Sequence, residues 1–332
     1  NANFDAGEKV LGSESISYAI AGDDKGMGML AGKYGTLLLK PDGSYEYVPN
    51  NSLSAIQSLG EGVPLSTPDT FTIYVKNGSD VIATQTITAA ITGKNDAPSI
   101  TLHQAGGVAG SGALLYVAET AGHLSSSSLP AVSGQANAYD VDYGDSKTFG
   151  AHSAYGTAVQ AYVYKDANGN LVPCDSTDPN AFQVLSETVY AQKDNTGNWV
   201  QCANIAGSTK IGTFSIDAST GVYTFTMDKA AEALAQGDKL MLQTTVTVTD
   251  GANATASAPV QISVTGANTA PVITQFTQTT LTDNGTSSQS CDDGKVSASD
   301  ADGDKLTFYI KAGDKYVTTL HDTNGTLTID PA

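Results

Sequence analysis

Arginine does not occur in this chain of 332 residues. All 16 basic side chains are lysines, set against 34 acids, for a formal net charge of −18. Phosphate recognition needs clustered Lys and Arg, and bidentate anion binding needs the forked guanidinium. Nucleic acid and anionic lipid are therefore excluded as partners, and cations are what the surface attracts. Negative charge also keeps a long extracellular protein soluble, which accounts for the overall balance but not for local acidic clusters. Cysteine occurs three times, at Cys174, Cys202 and Cys291, too few for a disulfide scaffold and too widely spaced for zinc. No apolar run reaches the roughly 20 residues that span a bilayer, so no membrane insertion is expected. The opening "NANFDAGEKV" has no signal-peptide pattern, and the chain is expected to be a soluble piece of something longer. The four histidines, His103, His123, His152 and His321, share no ligand spacing. No G-x-S-x-G occurs, and "GMGMLA" (26–31) lacks the strand–turn–helix context of a dinucleotide loop. Nothing supports an enzyme.

What is present is strand and turn. Runs such as "TFTIYVKNG" (70–78) and "TTVTVTDGA" (244–252) alternate apolar and polar residues, the period of a half-buried strand. Between such runs stand "KPDGSYEY", "KDANGNLV", "KDNTGNWV" and "DASTGVYTF", whose Asn, Asp, Gly and Pro set tight turns. Many short strands with regular turns predict an all-β sandwich.

Internal repetition divides the chain. "YGTLLLKPDGSYEYVP" (34–49) recurs as "IGTFSIDASTGVYTFTM" (211–227) and begins again as "NGTLTIDPA" (324–332). Each copy reads as a β-hairpin. A short helical segment follows the first two, "NSLSAIQSLGEG" (51–62) and "DKAAEALAQGD" (228–238). Strands then lead into "GKNDAP" (93–98) and "GANTAP" (266–271), the natural linkers. An acidic motif repeats as well: "DVDYGD" (140–145), "DADGD" (300–304) and a degenerate "NFDAGE" (3–8). This phasing predicts three domains. Residues 1–95 form a sandwich lacking its first strand, 96–267 a complete one with inserted hairpins, and 268–332 an incomplete one. The broken strand edges are expected to associate or to weaken the last domain. The insertion holds its own small repeat, "KDANGNLVPC" (165–174) and "KDNTGNWVQC" (193–202). Turn chemistry alone accounts for the likeness, but the matching cysteines allow a Cys174–Cys202 disulfide with Cys291 unpaired. Such a loop would contribute roughly 3 kcal/mol if unstrained. Trp199 and the tyrosines are either core and cross-strand pairs or the lining of a glycan site.

The acidic motifs raise the question of metal. Ca²⁺ takes six to eight oxygens in flexible geometry, and alternate residues of an extended segment point the same way, so Asp140 and Asp142 can meet one ion. Carboxylates some 5 Å apart repel by roughly 3 kcal/mol per pair at an effective dielectric near 20. In "VSASDADGDKLTFYI" (296–310), Asp300, Asp302 and Asp304 fit the start of an EF-hand loop. However, Lys305 stands where that loop needs Gly and Lys311 where it needs Glu, and strand follows instead of helix. The alternative to a metal site here is a solvated turn.

The stretch from "YGTLLLKPDGSYEYVP" through "TFTIYVKNGSD" to "GKNDAP" resembles the VCBS repeat of giant bacterial surface proteins, many of them RTX-type adhesins. "VSASDADGDKLTFYI", "VTVTDG" and "NTAP" are similar to cadherin-like repeats. The resemblance implies tandem Ig-like/cadherin-like β-sandwich domains arranged end to end, joined through Ca²⁺. It implies one joint from Asn95, Asp96, Asp140, Asp142 and Asp250, with Glu61 a further candidate. The other joint would draw on Glu119, Asp238, Asn268, Asp300 and Asp302, with Thr269 where the pattern has Asp. The first joint is then expected to bind more tightly. The implied function is a Ca²⁺-stiffened extender segment of a secreted or cell-surface bacterial adhesin, its partners being Ca²⁺ and neighbouring repeats. The alternative is a module centred on 96–267 that binds a surface glycan or protein.

Overall fold

The computed structural model describes residues 16–104, 110, 112–124, 129–156, 158–165, 171–277, 293–322 and 325–331. The motif at 3–8, the hairpin tip at 166–170 and Cys291 lie outside them. The described residues are almost wholly β, with one helical turn at Ser54–Gln57 and one 3-10 turn at Lys229–Ala233, both where the sequence places helical segments. The fold class is all-β, built of sheets packed into β-sandwiches. By contacts the chain forms two compact units. One is Asn1–Ser99 with the loops Tyr139–Lys147 and Thr249–Ala256; the other is Ile100–Ala138, Thr148–Val248 and Ser257–Ala332.

In the first unit, strands Ile16–Ile20, Asp69–Asn77 and Asp80–Ala89 form one sheet, and Met29–Ala31, Gly35–Leu39 and Tyr45–Pro49 form the other. Alternation drives them together. Leu37 and Leu39 from one sheet meet Ile20, Phe71 and Ile73 from the other in a single buried cluster, each such side chain contributing about 1.5–3 kcal/mol by leaving water. The hairpin "LKPDGSY" turns at Gly43, whose φ of +82° suits a residue without Cβ. Buried Asp69 fastens the two sheets. It accepts hydrogen bonds from the Lys33 and Tyr34 N–H groups (2.9 Å each) and from the Tyr47 hydroxyl (2.8 Å).

In the second unit a large sheet contains the pairing Thr209–Asp217 with Val222–Met227, the second Gly-Thr hairpin. Phe214, Ile216, Tyr223 and Phe225 are fully buried along it. A four-stranded sheet contains Ala113–Ala118, Lys147–His152, Lys239–Asp250 and Thr255–Thr265. Its alternate residues Leu240, Leu242, Val246, Val248, Val260, Ile262 and Val264 are buried as the two-residue period requires. Phe149 of this sheet meets the turn of the other at Gly221.

The two inserted hairpins exist. Val159–Lys165 pairs with Leu171–Pro173, and Phe182–Lys193 pairs with Trp199–Cys202. The disulfide expected between them does not, because both cysteines are free thiols. The reason is register. Both hairpins line the same edge of Phe182–Lys193 but at opposite ends, since Tyr162, next to Cys174, sits opposite Gln183, whereas Cys202 sits opposite Tyr190. Seven residues of strand separate those levels, about 23 Å, far beyond disulfide reach.

Candidate metal centres

Both acidic motifs form loops of the same construction. In the first unit the loop follows strand Ala131–Tyr139, and the Asp142 N–H donates to Asp140 Oδ1 at 3.0 Å. Gly144 supplies a positive φ of 78° that turns the chain back. One Asp142 oxygen, Oδ2, accepts the linker N–H of Asp96 at 2.9 Å. The adjoining linker residue donates its N–H to Glu61 Oε2 at 3.0 Å, and its amide Nδ2 donates to Asp250 Oδ2 and to the Asp96 carbonyl, both at 2.9 Å; that residue is Asn95. Asp250 holds its own turn through Oδ1, which accepts from the Ala252 and Ala254 N–H groups at 2.9 and 2.8 Å. Asp145 joins from the far end of the loop, its Oδ1 accepting the Gly251 N–H at 3.1 Å. Asp140, Asp145 and Asp250 each bring an oxygen within 4.8 Å of the others.

In the second unit the same bonds recur. The Asp302 N–H donates to Asp300 Oδ1 at 3.0 Å, and the linker N–H of Thr269 donates to Asp302 Oδ2 at 2.8 Å. Asn268 Nδ2 reaches the Thr269 carbonyl at 3.4 Å. Glu119, at the end of strand Ala113–Ala118, accepts the Ala267 N–H at 3.1 Å and the Thr269 hydroxyl at 3.4 Å. Asp300, Asp302 and Asp304 lie within 4.8 Å of one another.

The unused atoms make the chemical statement. Asn95 Oδ1, Asp140 Oδ2, Asp142 Oδ1 and Asp302 Oδ1 are buried and have no hydrogen-bond partner. All four are acceptors, and orphaned buried acceptors are rare and costly. Among the described residues no lysine or histidine pairs with a carboxylate of either cluster. The electrostatics agree. Burial pushes the Glu119 carboxyl up to about 6, offset in part by the Ala267 N–H and reinforced by the Asp302 charge. Burial, and then repulsion from Asp140, Asp96 and Asp145, also raises Asp142. The Asn95 amide lowers Asp250. A donor set made only of carboxylate and amide oxygens fits a hard cation of the Ca²⁺ kind and offers nothing to a soft one.

The structure brings nine of the ten sequence-predicted ligands to the clusters: Asn95, Asp96, Asp140, Asp142 and Asp250 in one, Glu119, Asn268, Asp300 and Asp302 in the other. Asp96 and Asn268 engage their clusters through a backbone N–H and a side-chain amide donor respectively. The further candidate, Glu61, stands at the first cluster. Asp238 borders the second linker through its carbonyl, which accepts the Gly266 N–H at 3.0 Å, but its carboxylate is turned elsewhere. Its carboxylate accepts the Trp199 indole N–H at 2.8 Å and the Ala235 N–H at 3.1 Å, with Lys193 Nζ 3.6 Å away. Asp145 and Asp304 are the additional members; their signal was the third acid of each motif, four or five residues after its first.

No protein-family model matches the chain, and no curated protein matches it. Among solved structures it is similar to protocadherin gamma B2 extracellular cadherin domains 3–6, at 14% identity and a TM-score of 0.29, covering 95% of this chain and 60% of that one. It is also similar to a protocadherin gammaB7 EC3-6 cis-dimer (13%, 0.23, 98% and 85%). Drosophila N-cadherin EC1-4 matches at 12% identity and a TM-score of 0.22, covering 98% and 85%. At these scores the fold class rests on the sheets themselves.

Proposed function

We propose that this chain is a Ca²⁺-stiffened extender segment of a secreted or cell-surface bacterial adhesin of the VCBS/RTX kind, in which cations lock the two linkers. The reading divides the chain into sandwiches at 1–95, 96–267 and 268–332. The observation that carries it is a shared scaffold at the two linkers with four of the six orphaned, buried acceptor oxygens among the described residues, three at the first linker and one at the second; the other two, Asn77 Oδ1 and Glu187 Oε2, lie elsewhere. Asp140, Asp142, Asp145, Asp250 and Asn95 would hold the first ion or ions, with Glu61 and Asp96 beside them. Asp300, Asp302, Asp304 and Glu119 would hold the second, beside Asn268. A bound cation supplies the positive charge that these oxygens lack. The chain's own part is to aim them: one oxygen of Asp142 or Asp302 grips the linker backbone while the other stays free.

Isothermal calorimetry with Ca²⁺ on the chelator-stripped chain tests this. Binding in the range of extracellular modules, about 0.1 to 1 mM, is expected, and the first cluster should be the tighter because it has more acids. Small-angle scattering should show a less flexible chain in Ca²⁺ than in chelator. Absence of binding together with unchanged scattering overturns the reading.

A second reading, a glycan- or protein-binding module, has one observation in its favour. A cleft of about 540 Å³ in the second unit is lined by His123, Lys229, Glu232 and Asp300, with Val272 as its apolar part. Glycan-array binding by the whole chain, abolished by Glu232→Ala, is its test.

A further inference from the structure

The two last strands before the linkers, Asp80–Ala89 and Thr255–Thr265, differ in what lies on their outer edge. In the second unit, Thr255–Thr265 is covered by Ala113–Ala118, paired in parallel from Val260↔Ala113 to Thr265↔Ala118. In the first unit, Asp80–Ala89 is the outermost strand of its sheet, and no described residue pairs with its outer edge. Superimposing the linker motifs "GKNDAP" and "GANTAP" puts Ile87, Ala89 and Ile91 where Val260, Ile262 and Val264 stand.

Hydrogen-bond phase identifies the free groups. The Ile91 carbonyl and the Gly93 N–H bond inward, to the Leu65 N–H and the Val63 carbonyl. Since N–H and C=O of one residue point the same way across a strand and alternate along it, those of Thr88, Ala90 and Thr92 face the open edge. Thr92 corresponds to Thr265, whose carbonyl accepts the Glu119 N–H at 2.9 Å. Natural proteins guard exposed edges with lysine, proline or inward charge. From Val81 to Thr92, "VIATQTITAAIT", there is neither a charge nor a proline, and Val81 and Ile82 are about half exposed.

We infer that the edge Ile87–Thr92 is an acceptor for an extended peptide strand added in parallel, with apolar residues opposite Ala89 and Ile91. The covered edge of the second unit supplies the template, because there Leu115 and Val117, opposite Ile262 and Val264, are the buried residues of the added strand. Backbone hydrogen bonds would supply affinity and the two apolar positions specificity, as in other strand additions.

The test uses the full chain and a synthetic peptide, GALLYVAE, the sequence of residues 112–119. Hydrogen exchange should slow at least tenfold at Thr88, Ala90 and Thr92 when the peptide is added, in chelator as in Ca²⁺. A peptide with Asp at its Leu115 and Val117 positions should give no protection. Ala90→Pro, which removes an edge N–H that no described residue uses, should abolish protection while thermal unfolding of the variant stays cooperative. Three results overturn the inference: protection that the Asp-bearing peptide also gives, no protection by the parent peptide, or protection already complete in the peptide-free chain. Concentration-dependent doubling of mass without peptide, with the same amides protected, would assign the edge to a second copy and overturn it too.

Discussion

Glu119 is buried, and its carboxyl, held up at about 6, ionises at a cost to the cation-free fold. The sign follows from linkage. A carboxyl raised in the folded state imposes no penalty below its ordinary pKa of 4.5. The penalty grows as pH rises toward 6 and is fully present above it. Glu119→Gln should therefore raise the melting temperature of the chelator-stripped chain at pH 7, leave it unchanged near pH 4, and weaken Ca²⁺ binding. Melting curves at both pH values, with and without Ca²⁺, check this. Residue identities at the clusters were readable where chemistry and spacing coincide, as in the alternate acids Asp140/Asp142 and Asp300/Asp302. They were not readable where the fold decides. Thr269 looked like a missing ligand, yet its backbone N–H makes the same bond to Asp302 that Asp96 makes to Asp142. Every residue but proline carries the same main-chain N–H, so side-chain identity does not reveal such a bond.

At the level of elements, the inserted hairpin of Phe182–Lys193 and Trp199–Cys202 explains why the Asp238 carboxylate is turned from the cluster. Its Lys193 lies 5.4 Å from the Trp199 ring centroid, and Gln201 exchanges hydrogen bonds with the backbone of Gln243 (2.7 and 3.2 Å). The hairpin is thus fastened to the strand Lys239–Asp250. Trp199→Phe keeps the ring but leaves Asp238 short of a donor, and should destabilise the chain by about 1–2 kcal/mol. Chemical denaturation measures that loss, and Ca²⁺ affinity should not change. Reduced affinity in this variant would return Asp238 to the cluster. The hairpins themselves were legible from their Asn/Gly tips. Their placement at opposite ends of one strand, which keeps Cys174 and Cys202 apart, depends on long-range register and left no mark in local sequence.

Across the whole molecule, the lack of arginine leaves trypsin only lysines to cut, and one of them, exposed Lys94, stands inside the first linker. Its neighbour Asn95 is tied by side chain and backbone to Asp250 and Glu61. Limited tryptic digestion should cut after Lys94 rapidly in chelator and at least tenfold more slowly in saturating Ca²⁺. Equal rates in both conditions would detach the linker from the cation. The second linker carries no lysine, so a protease of broader specificity is needed to follow it.

On the proposed reading, the twofold use of one aspartate, with one oxygen on the linker backbone and the other unpartnered, would tie cation affinity to mechanical load. Tension that straightens the linker pulls the Asp96 or Thr269 N–H off its carboxylate. The same carboxylate would then no longer be aimed, and a bound ion would be held less firmly. Shear on a chain built this way would loosen its cations at the most stretched linker, and a rise in Ca²⁺ would shift that yielding point to higher force. On that reading its smaller acid count would make the second linker the weaker fuse of the two.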